Sequence, residues 1–240
     1  MEDNPFNQKE RASGHWRYKM TVTVETPEGE ISGSAVREMG NTTPRIQMPD
    51  VGNPAKVRGE AVVVDMGERG VLFALISDES DNRFYDAFPL PGRADGQGGS
   101  TAQGIRHHAS LPVGTKGTLN PAEWPGYPKL VTFTNMDDPK SVTLAQIWER
   151  PESGKLTLKE DRMEELFGEG VKLKSIDLEI TNEPVTLGVV DRHLSWLDKY
   201  KKKRLRLNGR TGAIFTNELS DNLGTGAFSN LERNKKHSTK

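Results

Sequence analysis

The chain has no cysteine, and that absence does the most excluding. Without thiols there is no disulfide scaffold, no thiolate zinc site and no cysteine nucleophile, and cysteine usage leaves the redox compartment open. No apolar run approaches the roughly 18 residues that a membrane-spanning helix needs. Met1–Gly14 are polar, so no signal-peptide core is visible there. Only 33% of the 240 residues are hydrophobic, against 24 glycines and 14 prolines. That balance implies a compact core of modest size carrying long polar connections.

Charge is divided by position. The formal net charge is −1, yet from Lys199 onward eleven Lys and Arg face three Asp and Glu, a net +8, and residues 1–198 carry −9. A basic end of this kind meets an anionic surface or folds back on its own acidic body.

The pattern that is present is β. Trp16, Tyr18, Met20, Val22 and Val24 alternate with Arg17, Lys19, Thr21 and Thr23, so Trp16–Val24 reads as a half-buried strand. Pro27-Glu28-Gly29 supplies a turn, and Ile31–Glu38 returns as the partner strand with Gly33 and Ala35 on one face. A second hairpin is expected from Val57–Asp65 and Val71–Ile76 around Gly67–Gly70. Both of these strands are apolar on both faces, which places them at the centre of the fold.

Residues 89–104, PLPGRADGQGGSTAQG, have neither apolar periodicity nor the residues to order themselves and read as a mobile loop. Leu130–Thr134 and Ser141–Trp148 read as strands around the turn Asp137-Asp138-Pro139. A short helix is expected from Thr157, whose hydroxyl with Glu160 forms a capping-box pattern. Met163, Leu166 and Phe167 would share its inner face. Val171–Thr181 reads as strand. Leu187, Val190, Leu194 and Leu197 form the stripe of one amphipathic helix. The expected organisation is a disordered leader over 1–14, a β-rich domain over 15–210, and a basic, largely disordered tail over 211–240. The fold class is α+β: an antiparallel β-rich sheet or sandwich with one short and one amphipathic helix, an all-β sandwich being the alternative.

Candidate chemistry is thin. Gly96–Thr101 looks like a phosphate loop but lacks the lysine and the strand-to-helix setting. The five histidines, His15, His107, His108, His193 and His237, show no HxH, HxxxH or HExxH spacing, so no metal ligands are assigned. Asp191 and His193, two apart, do not share a helical face. There is no Gly-x-Ser-x-Gly elbow. No catalytic residue and no cofactor are assigned.

The most distinctive local feature is Lys199, Lys201, Lys202, Lys203, Arg204 and Arg206, interleaved with Tyr200 and Leu205. Clustered cations reward phosphate through counterion release, and the apolar residues between them suit a lipid headgroup layer. The same run also suits a helix C-terminus followed by a lysine-rich edge strand.

The stretches YKMTVTVETPEGEISGSAVREM (18–39), GEAVVVDMGERGVLFAL (59–75), LVTFTNMDDPKSV (130–142) and LEITNEPVTLGVVDRHLSWL (178–197) together resemble a family of uncharacterised, mainly proteobacterial proteins. The hairpin TVETPEGEISGS and the PVTxGxxxRxLxWL pattern over Pro184–Leu197 carry that resemblance. It implies bacterial origin but no activity. Some family members begin with an apolar leader, which would place them in the envelope; this chain departs from that, so either the leader is missing here or the protein is cytoplasmic. The expected function is a non-catalytic, β-rich protein-interaction or accessory domain, possible partners being another protein and, through 199–210, nucleic acid or anionic lipid. A hydrolase assembled only in the fold would draw on His107, His108 and His193.

Overall fold

The computed structural model describes residues 11–43, 55–76, 82–92, 98–123, 125–152, 154–212 and 216–230. It is an antiparallel, β-rich α+β fold. Its strands are β1 (Ser13–Thr26), β2 (Gly29–Thr42), β3 (Lys56–Arg58), β4 (Val62–Asp65), β5 (Val71–Ala74), β6 (Lys116–Thr118), β7 (Leu130–Phe133), β8 (Val142–Leu144), β9 (Gln146–Glu149), β10 (Thr157–Asp161) and β11 (Lys172–Ile180). The helices are α1 (Asn82–Ala87), α2 (Ala102–Ala109), α3 (Met163–Phe167), α4 (Val189–His193), α5 (Leu197–Lys203) and α6 (Leu219–Asn222).

A five-stranded sheet runs β3-β2-β1-β11-β6, a four-stranded sheet runs β4-β5-β7-β8, and β9 and β10 form a separate ribbon. The alternation in β1 decides which face of the first sheet is buried. Trp16, Tyr18, Met20, Val22 and Val24 point inward with the paired Ile180, Leu178 and Ile176 of β11, while Thr21 and Thr23 remain on the wet side. The second sheet is apolar on both faces, as its sequence demands. Val62, Val64, Leu72 and Ala74 join the core shared with the first sheet. Val63, Phe73 and Leu75 belong to a second core closed by Val190, Leu194, Trp196, Leu197, Leu207, Leu223 and Phe228. The order of layers is therefore sheet, sheet, helices.

The two sheets approach closely at Gly33. A Cβ there would lie 1.9 Å from the Val63 carbonyl oxygen, so β2 and β4 meet backbone to backbone. Farther along β1, α1 and α2 cover the same inner face, with Phe84 5.3 Å from the Tyr18 ring and 5.4 Å from that of Trp16 between ring centroids.

Several sequence expectations are corrected. Val57–Asp65 is two strands, because the chain leaves the first sheet at Gly59 and enters the second at Val62; the Ala61 N–H donates to the Phe228 carbonyl on the way. Ser141–Trp148 likewise divides at Ala145 between β8 and β9. Thr157 starts a strand rather than a helix: Thr157–Asp161 pairs with Gln146–Glu149. The helix begins later, at Met163, whose N–H donates to Asp161 Oδ1. The Leu187–Leu197 stripe is two short helices, and Leu187 itself is 67% exposed.

The stretch 89–104 also departs from a mobile loop at its far end. Thr101 caps α2 by accepting from the Gly104 N–H, and its hydroxyl donates to the Gly98 carbonyl. Residues 93–97 lie outside the described residues. The leader of 1–14 gives up Ser13 and Gly14 to β1, and 1–10 lie outside. Of the tail expected from 211, residues 216–230 are built into the fold, with Leu223, Phe228 and Ser229 buried; 231–240 lie outside the described residues.

Candidate interaction surfaces

The basic run falls on α5 and the turn after it. Leu197 is buried, and Tyr200 packs its ring 5.3 Å from that of Trp196, which fixes one side of α5 against the second core. Lys199, Lys202 and Lys203, spaced i, i+3, i+4, therefore share an exposed face. Lys202 forms an i,i+4 ion pair with Asp198 at 2.7 Å, and Lys201 is half-buried. Lysines in the last turn also complement the negative end of the helix dipole.

Arg204 ends α5 in the left-handed region (φ 54°, ψ 40°), and among the described residues it alone is a non-glycine at positive φ. Its N–H donates to the Lys201 carbonyl, and the Leu205 N–H donates to that of Tyr200. A glycine would occupy this position without strain, so the choice of arginine costs about 1 kcal/mol of backbone energy. Arg206 is used differently. Its guanidinium donates to the Asp221 carbonyl oxygen, while Leu207 beside it is fully buried. Hydrogen bonds from Thr216 and Asn208, aided by Arg210 and Arg206, hold the Asp221 carboxyl below its usual range. Of the six candidate residues, then, Lys199, Lys202, Lys203 and Arg204 face water, and Arg206 is part of the architecture.

His193 lies apart from His107 and His108. His108 is buried among Trp16, Phe84 and Tyr85, and its Nε2–H donates to the Phe88 carbonyl at 2.9 Å. Burial pushes its pKa down, the Phe88 carbonyl works in the opposite sense, and His107 adds to the depression. His107 meets it edge-on, with ring centroids 5.1 Å apart, whereas His193 meets the edge of Phe73 in the other core. Among the described residues no group of three or more His, Asp or Glu is arranged to hold a metal ion. No described helix is long and apolar enough to cross a membrane.

Three buried polar side chains, Arg37, Glu60 and Asn41, are tied to backbone groups. Arg37, fully buried, donates through Nε to the Glu60 carbonyl and through Nη2 to that of Ala74. The Glu60 carboxylate, 2% exposed, accepts from the N–H groups of Gly188 (2.6 Å), Val189 (2.9 Å) and Val190 (3.4 Å) and so caps α4. Gly188 holds a φ of 75° to make that approach. Asn41 donates to Tyr85 Oη and to the Gly99 carbonyl. The Pro184–Leu197 pattern is thus largely a docking device: Thr186 on β2, Gly188 on Glu60, and Trp196 Nε1 donating to the Met136 carbonyl.

A second surface was invisible in the sequence. Val36 of β2 donates its N–H to Thr186 Oγ1 at 2.8 Å and accepts the Thr186 N–H at 3.0 Å, so its backbone groups point away from β1. The β1–β2 register runs without a shift from Ser13↔Thr42 to Thr26↔Gly29. Alternation then turns the N–H and C=O of Ser34, Ser32 and Glu30 outward as well. β3 covers only Glu38–Gly40 of this edge. Among the described residues nothing pairs with the edge from Glu30 to Ser34, all three outward residues are exposed, and the stretch contains no proline, lysine or bulge. The exposed Leu187 stands beside its Thr186 end. Comparison with protein-family models, with curated proteins and with solved structures returns no match to this chain.

Proposed function

We propose that the protein is a non-catalytic interaction domain, an accessory module of bacterial origin that takes up an extended segment of a polypeptide partner along the open edge of β2. The observation that carries this reading is the row of outward backbone groups over Glu30–Ser34, ending at an apolar side chain that is 67% exposed. Addition of a strand supplies main-chain hydrogen bonds for affinity, and a neighbouring apolar contact adds selectivity. The commitment of Arg37, Glu60, Asn41 and His108 to internal contacts supports a scaffolding rather than a chemical use of these groups. A photo-crosslinker placed at Ser34 is expected to give polypeptide adducts that one at Lys140, on the side of the second sheet, does not. Ser32→Pro should suppress them, since that N–H takes no part in the internal ladder. Equal adducts at both positions, or none at Ser34, would overturn the reading.

A second reading is favoured by the shared exposed face of Lys199, Lys202 and Lys203 next to Arg204. It is an anionic partner, nucleic acid or lipid headgroup. Binding to duplex DNA or to anionic vesicles should weaken steeply with salt and drop when these four residues are neutralised. Salt-insensitive binding would remove it.

A further inference from the structure

We infer that the strand received by the β2 edge is β2 of a second copy of this chain, forming a two-fold dimer with one continuous ten-stranded sheet. This rests on the edge reading above and goes further by naming the occupant.

The open stretch is short and bounded at both ends. Beyond Ser34 the edge at Val36 is filled by Thr186, and before Glu30 the chain has turned through Thr26–Gly29 into β1. A long extended segment laid antiparallel on this edge would run into the Thr186 segment. An incoming strand fits if it offers only a few residues of open edge and then turns sharply away. β2 is such a strand. When two copies are set antiparallel about an axis through Ser32, Ser32 faces Ser32, and each Glu30 faces Ser34 of the other copy. All three outward residues are then in hydrogen-bonded pairs, about six N–H···O bonds in total. Past its Glu30 the second copy reaches Gly29 and turns back, clear of Thr186. Leu187 then comes against that turn, where Pro27 is exposed.

Side-chain charge agrees with the register. Glu30 is ion-paired to Lys174 on its own sheet and meets a serine, not another glutamate, across the axis. Sliding the strands toward the turn until Glu30 faces Glu30 leaves one pair and opposes like charges. Sliding them the other way drives Glu30 onto the position held by Thr186. Centring on Ser32 is the register that uses the whole edge.

The test is sedimentation of the full chain across micromolar to submillimolar concentration, with Ser32→Lys, Ser32→Glu and their equimolar mixture. The Ser32 side chain lies on the exposed face, so both variants should keep the wild-type circular dichroism. Wild type is expected to rise with concentration toward twice the 26.6 kDa chain mass. Each variant alone should dimerise at least tenfold more weakly, because like charges then face each other at the axis, and the mixture should recover. Leu187→Asp should weaken the dimer without changing the fold. A wild type that stays monomeric throughout overturns the dimer but not strand addition, which the crosslinking at Ser34 tests separately. Dimers indifferent to charge at position 32, or variants that fail to rescue each other, overturn it as well.

Discussion

Glu60→Ala is the substitution that weighs most on how this fold is closed. The Glu60 carboxylate is 2% exposed and accepts three N–H groups at the start of α4, tying a segment 128 residues away in sequence to the crossing between the two sheets. Hydrogen bonds to an ionised group contribute about 1.5–3 kcal/mol each, and they are not additive. Gly188 and Val189 are half-buried, so water can partly replace their partner, while the Val190 N–H is buried and would be left without one. The expected loss is about 3–4 kcal/mol, a large part of the roughly 5–15 kcal/mol that stabilises a domain. In a chain of this length that corresponds to a fall in Tm on the order of 10 °C. Glu60→Gln keeps the shape and can leave its amide oxygen on the Val189 and Val190 N–H groups, but it then turns an amide N–H toward the Gly188 N–H, so about 2 kcal/mol is expected. Urea unfolding followed by tryptophan fluorescence gives the loss, and hydrogen exchange at Gly188–Val190 locates it. A cost under about 1 kcal/mol for the alanine variant, with unchanged exchange at these amides, would show that α4 starts where it does for local reasons.

Three further outcomes are expected. Gly33→Ala should cost more than about 3 kcal/mol or prevent soluble expression, since the clash is with the Val63 backbone; Ser34→Ala next to it should stay within about 0.5 kcal/mol by thermal melt. His108 is held below the usual imidazole range by burial, so below about pH 6.5 the unfolded chain binds a proton that the folded chain resists. Its contribution is therefore complete above that pH and is lost as pH falls toward the depressed folded value. His108→Gln, which can still donate toward Phe88, should flatten the decline in melting temperature between about pH 6.5 and pH 5, and an unchanged slope would reject the assignment. Arg204→Gly should raise stability by about 0.5–1 kcal/mol in chemical denaturation while reducing salt-dependent binding to anionic vesicles; lower stability would show that the arginine side chain makes up for its backbone strain.

The strands were legible where burial follows a simple period. β1 lies on an exposed face and a buried face, so its side chains alternate, and β4 and β5 are covered on both sides, so theirs do not. The errors fall where one stretch serves two neighbours. Val57–Asp65 reads as one apolar strand, but Gly59–Ala61 carry the chain from one sheet to the other. Thr157 and Glu160 have the spacing of a cap, yet pairing with β9 is the stronger interaction there. Leu187 completes a helical stripe on paper, but Glu60 captures the N–H groups of the next three residues and starts α4 after it. The basic residues were legible as a group. That Arg206 is bound to Asp221 depends on chain that folds back from 216–230.

Local sequence determined the strand periods, the Pro27-Glu28-Gly29 turn and the uneven distribution of charge, because each follows from neighbours a few residues apart and from side-chain hydrophobicity. Tertiary structure alone decided which strand edge is left unpaired, which carboxylate caps which helix, and where the C-terminal chain closes the second core. Those outcomes turn on hydrogen-bond partners more than a hundred residues apart, such as Val36 with Thr186 and Glu60 with Gly188, and no periodicity within a strand or helix encodes them.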